Sequence, residues 1–260
     1  MNRSLRLGWI GVVALAAASR LAAHDLSGFS ASVLVDGVPM PEYAARGRIY
    51  VEALRGRDFT IRLSNPTAGR VAVALSVDGR NVIDAKRTTE HAATKWILGP
   101  GQTVEIPGWQ ISGETARKFF FTETASSYAK WLGDTSNVGT IEAVFFREKR
   151  AEPKVRMQTA EPRAEREAGA AGGAPAPESR AKSAQADSLA ATGIGDRTSF
   201  PVEWVAFEEE PTPAARVAIR YEFRPELVRL GVLRRDGGLS TREQASGFEH
   251  KYAPDPDGRR

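Results

Sequence analysis

The sequence predicts an all-β protein: an antiparallel β-sandwich, immunoglobulin-like or jelly-roll-like, with a long disordered insertion and a C-terminal β-hairpin. Three observations predict it. Short runs rich in β-branched and aromatic residues recur between Val33 and Arg147, about eight or nine of them, with few helical patterns. Several of these runs alternate apolar with polar residues at period two. From Glu148 to Ala190 large apolar residues almost vanish, and strand-like patterning then resumes.

Val33-Leu34-Val35 opens the series, followed by Arg48–Leu54 and Asp58–Ser64. Ile49, Val51 and Ala53 alternate with Tyr50, Glu52 and Leu54, and Phe59, Ile61 and Leu63 alternate with Thr60 and Arg62, as in half-buried strands. Arg55-Gly56-Arg57 between them reads as a tight hairpin turn. Asn65-Pro66-Thr67 is a turn, because proline fixes φ and lacks a donor. Val71–Val77 reads as a strand buried on at least one face, and Asp78-Gly79 carries a hairpin signal. Lys95–Leu98, Thr103–Ile106, Lys118–Thr122 and Thr140–Arg147 are further strands. Phe119-Phe120-Phe121 puts neighbouring rings on opposite faces, which predicts a central strand covered on both sides.

Residues 1–23 have the form of a secretory signal: Arg3 and Arg6, then the apolar run Leu7–Ala18, then small residues permitting cleavage after Ala18 or Ala23. That run is shorter than the roughly 20 residues a bilayer span needs, so no membrane span is expected after processing. The sandwich is expected over 24–147, a charged, Ala/Pro/Gly-rich linker over 148–190, the hairpin over 191–233 and a polar tail over 234–260. The hairpin is read as Val202–Phe207 and Arg216–Phe223, docking on the sandwich because an isolated hairpin is marginal in water. Pro225–Leu230 reads as one helical turn.

The net charge of +4 (36 basic, 32 acidic) loses its meaning once divided. Arg3, Arg6 and Arg20 lie in the leader, and residues 24–146 hold 13 basic and 13 acidic side chains. With no single-sign block, nucleic acid is excluded as a partner. The absence of cysteine excludes disulfide scaffolds, thiol nucleophiles and cysteine zinc sites.

Several separated motifs carry a resemblance. They are Gly47–Glu52, Ser76-Val-Asp-Gly-Arg-Asn-Val-Ile-Asp84, Trp96-Ile-Leu-Gly-Pro100, Ile106-Pro-Gly-Trp109, Phe119–Thr122, Ser127-Tyr-Ala129, Asn137-Val-Gly-Thr-Ile141 and Thr192-Gly-Ile-Gly-Asp196. The chain thereby resembles a group of exported bacterial proteins of unassigned activity. The resemblance implies export and a β-rich fold, and it brings no catalytic residues.

Candidate chemistry is sparse. Asp78, Asn81 and Asp84 lack the ligand spacing of an EF-hand loop and read as a hairpin in which Asp78 and Asn81 bond the local backbone. Thr192–Asp196 is Gly-rich without a P-loop lysine and reads as the turn leading into a strand. Neither a Gly-x-Ser-x-Gly elbow nor a His-Glu-x-x-His pair occurs, so the expected role is non-catalytic, with no cofactor. Three readings follow. In the first, the protein binds or assembles with an envelope protein. In the second, Trp109 and Trp131, both beside loops, form a stacking face for a glycan. In the third, cleavage after Ala23 makes His24 the N-terminal residue of a copper brace, with His91 or His250 as second imidazole. The sequence does not specify the oligomeric state.

Overall fold

The structure, a computed structural model, describes residues 28–149 and 187–234. The expected leader, the tail beyond Arg234, most of the 148–190 segment, and His24 and His250 lie outside those residues. Two mixed or antiparallel sheets pack face to face around one core, so the chain is a β-sandwich.

The first sheet is laid down by β1 (Ser30–Val35), β2 (Val38–Pro39), β5 (Asp58–Ser64), β9 (Thr103–Ile106), β10 (Gly108–Gln110), β11 (Thr115–Glu123) and β13 (Ala190–Ser199). β5 pairs with β1 on one side and meets β11 directly only at Phe59–Phe119 and Asp58–Phe120. Beyond that point β9 pairs with β5 and β10 with β11. β13 covers the other side of β11 along almost its whole length.

The second sheet has the order β3 (Glu42–Ala45), β4 (Arg48–Ala53), β14 (Ala215–Phe223), β12 (Thr140–Arg147), β6 (Val71–Val77) and β7 (Arg80–Asn81), with β8 (Trp96–Leu98) also pairing β6. All its pairs are antiparallel except β4 with β14, which is parallel.

Phe29 stacks on Phe145 across the sandwich at 4.9 Å, and Phe59 stacks on Phe121 at 4.2 Å. Val71, Val73, Leu75 and Val77 point inward, whereas Ala72 and Ala74 face out, so β6 is buried on both faces. Phe119 and Phe121 are fully buried and Phe120 is partly covered on the other face, as the triplet predicted. A short 3-10 turn, Thr124–Ser126, leads into α1 (Tyr128–Trp131), whose first turn Ser127 caps by accepting from the Lys130 amide.

Three expectations are corrected. Arg55–Arg57 does turn sharply, with Gly56 at φ 74° and the Arg57 amide donating to Leu54. It carries the chain from β4 in the second sheet to β5 in the first, however, so it is a crossover and not a hairpin. The C-terminal hairpin is likewise replaced by two strands in opposite sheets: β13 lies along β11, and β14 is inserted between β12 and β4. Val202–Phe207 forms no strand; the segment lies over the second sheet, packing Phe207 onto it. Finally, Thr192–Asp196 lies inside β13. Gly193 faces Phe120 in register, and a Cβ there would overlap the Phe120 ring, so the glycine makes room for an aromatic on the neighbouring strand. The helical turn is present as α2 (Arg224–Arg229).

Candidate functional site

Antiparallel sheets commonly leave one face in water, with polar residues there. The outer face of the second sheet departs from that habit. Ala72, Ala74, Val144 and Phe146 form a small buried cluster beneath Ala93, Ile97 and Phe207. The covering segments are held by charge: Lys95 Nζ lies 3.1 Å from Glu209 and over the Phe146 ring, and Arg70 lies over Phe207.

The other half of this face is open. There the sheet, the 87–93 loop and Asn137 enclose a groove of about 620 Å³, within the usual range for ligand sites. Its floor is made of small side chains, Ala74, Ser76, Thr140 and Ala218, because β6 alternates large inward with short outward residues and β14 sets Ala218 between Arg216 and Arg220. Arg48, Arg87, Arg216 and Arg220 stand around it, against the carboxylates of Glu90 and Glu142. Arg216 pairs with both carboxylates, at 2.6 Å for Glu90, and its hydrogen bond to Glu142 raises its pKa further. Arg87 pairs with Asp134. Among the described residues, Arg48 and Arg220 have no carboxylate partner. They sit on the adjacent parallel strands β4 and β14, with Arg220 opposite Tyr50. None of the described residues lining the groove is aromatic.

A second, fully interior constellation surrounds Asp78. In the β6–β7 turn, Asp78 and Gly79 both have positive φ (52° and 73°), as a type I′ hairpin turn requires. The Asp78 side chain does not bond the local backbone as its turn position suggested. Oδ1 accepts from the Gly139 amide at 2.8 Å and the Tyr221 hydroxyl at 2.5 Å, and Oδ2 accepts from the Thr192 amide at 2.8 Å. The Thr192 and Tyr221 hydroxyls are 2.7 Å apart. Burial pushes the Asp78 carboxyl up to about 6 against the opposing pull of Tyr221 and the amides. Burial, and then the nearby Asp78 charge, push the Tyr221 phenol well above its ordinary value. Three separated sequence motifs, those containing Asp78, Gly139 and Thr192, thus meet at one carboxylate. With Asp78 only 4% exposed, this is a structural tie between strands of both sheets.

No protein-family model matches the chain, and no curated protein or solved structure does so either. The site must therefore be judged on its own geometry.

The residues singled out in sequence are dispersed. Trp109 is 2% exposed; its Nε1 donates to the Gly193 carbonyl at 3.1 Å, and its ring meets Phe119 and Tyr128 edge-on. Its position after Pro107-Gly108 pointed to a loop, but 108–110 form a strand whose side chain turns into the core. Trp131 is 76% exposed and stacks on Tyr128, so the two tryptophans share no face. His91 lies half-exposed above Phe146, with Nδ1 4.0 Å from Glu209. No cluster of three or more His, Asp or Glu residues able to hold a metal occurs among the described residues. Asn81 Oδ1 accepts from the Ile83 amide, as the hairpin reading expected, and Asp84 Oδ1 accepts from the Lys86 amide.

Sequence reasoning missed the groove altogether. Its arginines stand at residues 48, 87, 216 and 220, and only the sheet order brings them together.

Proposed function

We propose that the protein is an exported, non-catalytic binding or assembly protein of the bacterial cell envelope, engaging its partner through the groove on the outer face of the second sheet. The observation that carries the reading is the pair Arg48 and Arg220, two cations without carboxylate partners among the described residues, beside an open, ligand-sized groove. Unpaired guanidinium groups beside a concave face favour recognition of anionic groups, because each presents a rigid fork of donors. The leader-like pattern over residues 1–23 supports export.

In-cell cross-linking of the tagged protein in its native envelope tests the reading. The wild type and Arg48→Glu/Arg220→Glu are compared, with circular dichroism to confirm the fold. A recurrent partner recovered with the wild type and lost with the double variant is the expected result. Identical cross-links from both proteins would sink the groove as the working surface.

A glycan-binding reading survives on one observation, the exposed Trp131 stacked on Tyr128. It now rests on Trp131 without Trp109. If it holds, Trp131→Ala abolishes retention on envelope glycan while the arginine double variant leaves it intact.

A further inference from the structure

The occupant of the groove can be specified by chemistry, an inference that rests on the proposed binding role. We infer that the groove takes an extended acidic peptide segment of a partner protein, with carboxylates at positions i and i+2.

The spacing comes first. Arg220 is level with Tyr50 across the parallel β4–β14 pair, and Arg48 lies two residues before Tyr50 on the same outward face. Strand geometry then sets their Cα atoms about 8 Å apart, one strand spacing sideways and two residues along. In an extended chain, side chains at i and i+2 point the same way and are separated by about 6.8 Å. The long arginine side chains absorb the difference, and each fork donates to one carboxylate in bidentate fashion.

The remaining lining selects for peptide over other polyanions. Sugars and nucleobases are commonly held by stacking on aromatic faces, and the described residues of the groove offer none. Its floor of Ala74, Ser76, Thr140 and Ala218 instead leaves room for the intervening side chains of a strand-like ligand, with hydroxyls for its backbone groups.

The acidic residues complete the pattern. Glu142 and Glu90 share the one guanidinium of Arg216, so that end of the groove keeps an excess negative charge. A ligand carboxylate placed there meets like charge, which restricts the acidic pair to the Arg48–Arg220 end and fixes the register.

Fluorescence anisotropy on the full chain tests this with two labelled heptapeptides of identical composition. Ser-Thr-Glu-Thr-Glu-Thr-Ser carries the alternating pair, and Ser-Thr-Thr-Glu-Glu-Thr-Ser the adjacent pair. The alternating peptide is expected to bind saturably and to weaken about fivefold or more between about 50 and 300 mM salt, since exposed charge pairs are screened over this range. Its affinity should fall about tenfold in Arg48→Glu/Arg220→Glu, where attraction becomes repulsion. It should stay unchanged in Arg197→Glu, an exposed arginine on the first sheet. The adjacent-pair peptide should bind distinctly more weakly to the wild type.

Equal binding of both peptides, or equal loss in Arg197→Glu, would overturn the inference by reducing it to general charge attraction. Binding of polygalacturonate with no binding of either peptide would overturn it in favour of an acidic glycan. If the peptides fail while the double variant still loses its partner in the envelope, the occupant is wrong and the groove stands. If the cross-links also persist, both the inference and the proposed function fall.

Discussion

Asp78→Ala is expected to destabilise the protein by about 4 kcal/mol, measured by urea unfolding. The substitution leaves the Gly139 and Thr192 amides and the Tyr221 hydroxyl facing an empty space in the core. Each buried donor left without an acceptor costs about 1–3 kcal/mol. A loss below about 1 kcal/mol would mean that water or a shifted backbone satisfies these groups, and the tie would be incidental.

The same residue gives a pH signature. The folded-state carboxyl titrates at about 6, whereas an unfolded aspartate titrates at about 3.9. The folded chain therefore holds the proton more tightly. Stability falls as pH rises from about 4 to about 6, by about 3 kcal/mol, and this contribution is flat above that window. The geometry explains how the neutral form is satisfied: a protonated Oδ1 donates to the Tyr221 oxygen, and Tyr221 donates to Thr192. Asp78→Asn cannot titrate, so its stability should lack this fall. Parallel slopes for the two proteins between pH 4 and 6 would exclude Asp78 as their source.

The second large effect is expected at Trp109. Trp109→Ala should cost about 3–5 kcal/mol, the usual range for deleting a large core aromatic. The indole fills the space against Phe119 and Tyr128 and bonds the Gly193 carbonyl, so its loss damages the β10–β11–β13 packing together. Trp131→Ala, by contrast, removes a side chain that is 76% exposed and should change stability by about 0.5 kcal/mol or less. Thermal unfolding of both variants checks this. Similar melting temperatures for the two would contradict the burial assigned to Trp109.

How much of this was legible in the sequence depended on the range of the interaction. Strands with clear alternation, such as Asp58–Ser64, were readable because the pattern is local and one face is buried. β13 was not read in full, since Gly193, Gly195 and Asp196 lower strand propensity, and the reason for Gly193 is a ring on another strand. The Arg55–Arg57 turn was located correctly, but its role was not: the segment looks the same whether it joins neighbours or crosses between sheets. Asp78 shows the limit most sharply. Its turn conformation follows from Asp-Gly, while its side chain answers to residues 139, 192 and 221. The groove was invisible for the same reason, being assembled by register between β4 and β14, which are separated by more than 160 residues.

The late arrival of β14 has a consequence for the order in which the molecule takes shape. β14 lies between β12 and β4 and is the last strand among the described residues, so the second sheet cannot close until residues 215–223 are free to enter it. Until then β4 and β12 each offer a row of open backbone groups, the usual template for unwanted pairing with other chains. Zipping β14 into place closes a very long loop, and contacts of such separation make folding slow. A nascent chain thus stays open until residues 215–223 have been synthesised, and whatever handles it in the cell meets it first as an incomplete sheet with two unsealed seams.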